Sequence, residues 1–102
     1  MEVTNHAKTV SAACHQADSS CPEDAYRHIM WSYYLTKEFG PDYAKQVTDA
    51  YEDDTLRDTG NTAADHKMDY QNNAIGRRYA QEGAYSDEEI LQKLKGDSEV
   101  IL

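Results

Sequence analysis

Pro22-Glu23-Asp24-Ala25-Tyr26-Arg27-His28-Ile29-Met30-Trp31-Ser32-Tyr33-Tyr34-Leu35-Thr36-Lys37-Glu38-Phe39-Gly40 sets the fold class. Pro22 suits the first turn of a helix, because its missing N–H would have no intrahelical partner there. Glu23 and Asp24 add negative charge at the positive end of the helix dipole, and Gly40 is a helix stop. Between them Ala25, His28, Ile29, Ser32, Leu35, Thr36 and Phe39 recur at three-four spacing, with Met30, Trp31 and Tyr34 broadening the same face. This is a helix from Pro22 to Phe39 with one side meant for a core.

The same signals recur on both sides. Upstream, Asn5 to Gln16 reads as a short Ala-containing helix capped by Asn5, followed by the polar turn Asp18-Ser19-Ser20. Downstream, Pro41 restarts the chain, and Tyr43, Ala44, Val47, Ala50 and Tyr51 mark a helix that fades in Glu52-Asp53-Asp54. After a polar connection containing Gly60, Thr62 is a candidate N-cap with Asp65 imitating a capping box. The helix it opens runs to about Glu82, carries Met68, Asn72, Ile75, Gly76 and Tyr79 inward, and closes at Gly83. Ser86 with Glu89 three residues later is a capping box for a last helix packed through Ile90, Leu91 and Leu94 and stopped by Gly96. The apolar end Val100-Ile101-Leu102 is expected to dock. No strand-like alternation or internal repeat is visible, so the expected fold is all-α, a compact bundle of four to five helices.

A chain of 102 residues fits one domain, 1–102, with a core over 22–102 and an N-terminal segment 1–21. Cys14 and Cys21 are close enough for a short-loop disulfide clamping that segment, and equally compatible with two buried thiols. The formal charge of −9 disfavours nucleic acid. No apolar run is long enough to cross a bilayer, and the N-terminus lacks a signal-peptide pattern, so the chain is expected to be soluble. Eight Tyr against one Phe imply rings buried at one edge with their hydroxyls wet or hydrogen-bonded.

The chemistry concentrates in Met68-Asp69-Tyr70-Gln71-Asn72-Asn73-Ala74-Ile75-Gly76-Arg77, where Asp, Asn and Gly weaken a helix that stability alone would build differently. Asp69, Asn73 and Arg77 succeed one another at spacings of four and form one polar stripe. If this helix packs beside the first, Gly76 permits close approach, and His28, Arg27, Asp69 and Asn72 converge. His28 is then a candidate general base and Asp69 its orienter or a cation ligand. Asn72 and Asn73 are candidate oxyanion donors, and Arg27 or Arg77 an anion clamp. The competing expectation is a buried register-locking network without catalysis. Gly-rich phosphate loops, HExxH, EF-hand loops and GxSxG elbows are absent.

The succession Arg27-His28-x-x-Trp31, then Tyr51-Glu52, then Met68-Asp69-x-x-Asn72-Asn73-x-x-Gly76-Arg77 resembles an uncharacterised domain found at the C-termini of large secreted bacterial proteins, including polymorphic toxins. The resemblance covers the chain from Cys21 onward. It implies Arg27, His28, Trp31, Glu52, Asp69, Asn72, Asn73 and Arg77 as site residues. A carrier would then deliver the domain into a target cell, and a cognate immunity protein would be its partner. The pattern has His-Glu where this chain has Tyr51-Glu52, which weakens a divalent-metal cofactor here. Two functions are expected from this: a toxin effector acting as a small hydrolase, with His28, Asp69 and Glu52 catalytic and Arg27, Trp31, Asn72, Asn73 and Arg77 binding substrate; or an acidic binding protein, an antitoxin or inhibitor, in which the polar cluster is structural.

Overall fold

A computed structural model describes the backbone of residues 2–55 and 63–101, and side chains over 5–51 and 67–101. Among these residues there are five helices and no strand: α1 (Glu2–Ala17), α2 (Glu23–Phe39), α3 (Pro41–Thr55), α4 (Ala63–Glu82) and α5 (Asp87–Lys95). The protein is an all-α bundle, and no described helix is long and apolar enough to cross a membrane. The expected cap at Thr62, the side chains of its partner Asp65 and of Glu52-Asp53-Asp54, and Leu102 lie outside the described residues.

α2 is the axis of the molecule and packs against each of the other four helices, most extensively α4. That position explains why its buried set is wider than one stripe. Tyr26 and Tyr33 are buried beside Ala25, Ile29, Met30 and Leu35. Their hydroxyls reach the start of α5: Tyr26 donates to the Asp87 carbonyl at 2.6 Å, and Tyr33 accepts from the Tyr85 N–H at 2.7 Å. Tyr34 donates to the Asp87 carboxylate, which His6 of α1 approaches at 2.8 Å. A Phe in these positions would bury the ring but leave the α5 junction untied. Ser86 caps α5 with both bonds of the capping box, at 3.2 Å to Glu89 N–H and 3.0 Å back from Ser86 N–H.

One helix start and one side chain differ from the sequence expectation, and one open alternative is decided. α1 begins at Glu2, so Asn5 is an interior residue and not its cap. Nothing in Glu2-Val3-Thr4 breaks a helix, and a capping side chain is only one way to begin one. Phe39, expected inward, is 46% exposed, because the last turn of α2 projects past the core; its ring rests on Tyr43 at 4.9 Å across the Gly40-Pro41 break. There Gly40 takes φ +93°, a conformation closed to most side chains, which lets α3 start at once. Cys14 and Cys21 form a disulfide with Cα atoms 6.0 Å apart, tying α1 to the approach of α2.

The C-terminal segment docks chiefly through polar contacts. Asn72 donates Nδ2 to the Ile101 carbonyl at 2.9 Å and accepts the Ile101 N–H on Oδ1 at 3.1 Å. Arg78 binds Asp97 and Glu99, and Tyr79 donates to Asp97 at 2.7 Å. Val100 packs partly against the core, while Ile101 stays 38% exposed.

Candidate functional site

The site begins with the absence of a Cβ. A methyl group at Gly76 would stand 2.4 Å from the Ile29 carbonyl oxygen and 2.8 Å from Ser32 Cβ, so only glycine lets α4 lie this close to α2. The two helices run in the same sense: His28 faces Asp69, and one turn on Ser32 donates to the Asn73 carbonyl at 2.6 Å. A step of four on one helix matches a step of four on the other. The register is therefore fixed where the polar stripe passes α2.

His28 is 8% exposed. Its Nδ1 lies 2.8 Å from the Asp24 carbonyl, which can only accept, so Nδ1 carries the proton and Nε2 faces Asp69 Oδ2 at 3.6 Å. The backbone of Asp24, one turn earlier, is thus the group that orients the imidazole. Asp69 stands opposite the basic nitrogen instead. In the neutral ring Nε2 and the carboxylate are both acceptors, so the gap between them suits a proton on the ring or a small polar group between the two. Either arrangement is one an acid–base pair uses.

Farther along the stripe several polar groups lack partners among the described residues. Asn73 is fully buried, yet neither its Nδ2 nor its Oδ1 is hydrogen-bonded to a described residue, and Trp31 Nε1 and Arg77 Nη1 are likewise buried and unpaired there. Burial lowers the Arg77 pKa, and the charge of Asp49 on α3 opposes that only in part. The Trp31 ring meets Tyr51 of α3 edge-on at 5.5 Å. Trp31 thus touches α3 directly, and Arg77 feels a charge carried by the same helix.

The other expected residues divide. Asn72, one position from Asn73, turns the other way, and its amide is fully engaged by Ile101. Arg27 pairs with Asp24 at 2.7 Å on a solvent-facing edge. Glu52 sits in α3, but its side chain is outside the described residues. Among the described residues no three His, Cys, Asp or Glu side chains gather as a metal site, and His28 with Asp69 supplies two donors where a zinc centre takes three or four. Ser32 and the Asp24 carbonyl are additions. Ser32 was legible as a residue one turn from His28 on the same face, whereas a backbone carbonyl leaves no sequence signal. An open depression of about 510 Å³ lined by Tyr85, Ser86, Glu88, Glu89, Gln92 and Lys93 lies on the α5 side, apart from this stripe.

No curated protein and no solved structure matches the chain. A family model does match, over residues 1–99, and takes in α1 together with the α2–α4 seam; the chain belongs to the family described as the domain of unknown function DUF6973.

Proposed function

We propose that this domain is the effector part of a bacterial secreted or contact-dependent toxin and acts as a small hydrolase. The observation that carries the reading is the His28–Asp69 pair, sheltered between α2 and α4 with the imidazole tautomer set by the Asp24 carbonyl. In this mechanism His28 Nε2 accepts a proton from water as the oxygen attacks an electrophilic carbon, and Asp69 stabilises the imidazolium that results. The same proton then passes to the leaving group. The Asn73 amide and Arg77, one and two turns along from Asp69, hold negative charge on the substrate.

The toxin context draws on the Arg-His-x-x-Trp and Met-Asp-x-x-Asn-Asn-x-x-Gly-Arg pattern. A carrier would deliver the domain, and an immunity protein would cover the site in the producing cell. Expression in the cytoplasm, and separately with an export signal, should kill a bacterial host in one compartment. His28→Ala should abolish killing while the circular-dichroism spectrum and melting transition stay native-like. Killing by a folded His28→Ala variant rules out the base assignment.

The net charge of −9 favours one other reading, an acidic binding protein that docks a basic partner. Such a protein would harm no host in either compartment. Its complex would weaken steeply with salt, and the His28→Ala variant would bind normally.

A further inference from the structure

Four buried side-chain atoms lack hydrogen-bond partners among the described residues: Trp31 Nε1, Asn73 Nδ2, Asn73 Oδ1 and Arg77 Nη1. In a small domain each unpaired buried donor is a defect that calls for a reason. These defects also share a place. Asn73 and Arg77 are one turn apart on α4, and Trp31 adjoins Ser32, whose hydroxyl rests on the Asn73 carbonyl. The Trp31 ring touches Tyr51 of α3, and Asp49 on the same helix is the charge that acts on Arg77. Asp49 is already bonded to Lys45, so the guanidinium has no ion-pair partner of its own among the described residues.

We propose that Trp31, Asn73 and Arg77 form a subsite for the free carboxylate and neighbouring amide N–H of a peptide-like substrate. The assignment of a substrate rests on the hydrolase reading above; the binding does not require His28. Arg77 Nη1, Trp31 Nε1 and Asn73 Nδ2 are donors and meet the carboxylate oxygens, while Asn73 Oδ1 is an acceptor and meets an amide N–H. One cation matches one negative charge. A phosphate dianion would add a second charge to a site flanked by Asp49 and Asp69 in a protein of net charge −9.

Asn73 lies one turn from Asp69, about 6 Å along the helix axis, so the acyl carbon bonded to that amide nitrogen falls toward His28. Water adds to this carbon and gives its proton to Nε2. The C–N bond then breaks as the proton passes to the departing amine, leaving an acid and an amino acid. The substrate class is an N-acyl amino acid or a peptide end.

Trp31 is the only tryptophan, so a ¹⁵N spectrum contains a single indole N–H signal that reports on the subsite directly. Titrating the intact chain with N-acetylglycine should move that signal saturably, and N-acetylglycinamide, which lacks the carboxylate, should not. Arg77→Met should stay folded, since it removes an unpaired cation, and should weaken binding by about tenfold or more, with Arg77→Lys in between. If Arg77→Met unfolds, Asn73→Leu gives the same test at a neutral position. An unmoved indole signal, equal binding by Arg77→Met, or tighter binding of inorganic phosphate than of N-acetylglycine overturns the subsite. The titration is repeated in His28→Ala: binding kept with killing also kept sinks the catalytic reading alone. Binding absent while killing still depends on His28 sinks the subsite alone.

Discussion

Replacing Gly76 by Ala tests the contact on which the site depends. The new Cβ would lie 2.4 Å from the Ile29 carbonyl oxygen, 2.8 Å from Ser32 Cβ and 3.1 Å from the Ile29 carbonyl carbon. Two of these three atoms belong to the backbone of α2 and cannot rotate away, so relief requires the helices to separate by roughly 1 Å to reach ordinary contact distance. Separation loosens the most extensive interface in the bundle, between α2 and α4, and overpacking of this kind costs about 1–3 kcal/mol, occasionally more. Helix propensity works in the opposite direction, since Ala in a helix interior is favoured over Gly by about 1 kcal/mol. A fully buried backbone clash is the larger effect, and the expected net destabilisation is about 1–2 kcal/mol. Urea denaturation of parent and variant measures it, and a melting point lower by roughly 5–15 °C is the thermal counterpart for a domain of this size. The same displacement should widen the His28–Asp69 gap, so if the domain is the toxin proposed above, killing should fall further than the unfolded fraction explains. An Ala variant as stable as the parent, or more stable, would refute the close approach of the helices.

Three other perturbations address separate parts of the molecule. Asn72→Ala removes both bonds that hold Ile101 and should cost about 1–2 kcal/mol, at the low end for two neutral bonds because the freed backbone groups can meet water. Faster hydrogen exchange at the Ile101 amide checks it, and an unchanged rate would remove the clamp. At Asp97 burial favours the neutral acid, but the hydroxyl of Tyr79, the N–H of Glu99 and the Arg78 guanidinium together hold its pKa below the usual carboxylate range. Its folded-state pKa is lowered, so its contribution is present above the unfolded value of about 4 and disappears as pH falls through the folded one. Asp97→Asn should therefore lower stability at neutral pH and flatten the loss of stability below about pH 4, read from melting points across an acid series. Reduction of Cys14–Cys21, a closure of seven residues along the chain, should cost about 2 kcal/mol by loop entropy, seen as a lower urea midpoint under reducing conditions.

The parts of the fold that were legible in the sequence are those set by local chemistry. Pro22, Gly40, Pro41, Gly83 and the Ser86–Glu89 box each act within a turn or so of themselves, and the helix boundaries they imply are close to the observed ones. The inward face of α2 was harder to read, because periodicity assumes one dry side and α2 is packed by four helices around most of its circumference. Tyr26 and Tyr33 are buried off the expected stripe because the first residue of α5 and the turn before it supply partners for their hydroxyls. Side-chain partners were harder still. Arg27, Asn72 and Arg77 are all polar residues on helices that meet, yet Arg27 pairs with Asp24 within its own helix, Asn72 with the tail and Arg77 with nothing described. Helical spacing says which residues share a face but not which bond each amide or guanidinium forms.

That division gives the best reason for placing the site at Asn73 and not at Asn72. Two adjacent asparagines with the same propensity and the same burial differ only in what their amides meet. Asn72 is doubly bonded to the chain terminus and behaves as a structural residue. Asn73 has both ends of its amide unpaired among the described residues, where a Leu of similar size would remove the unpaired polar atoms. A network kept solely to lock helix register would have satisfied its innermost member, and Ser32 at 2.6 Å engages only the Asn73 backbone. The tolerated defect lies one turn from the His28–Asp69 contact between α2 and α4. If stability were all that the stripe served, Asn73→Leu should leave killing intact and raise the urea midpoint. If it serves a substrate, the midpoint should still rise while killing is lost, and only the second result separates binding from scaffolding.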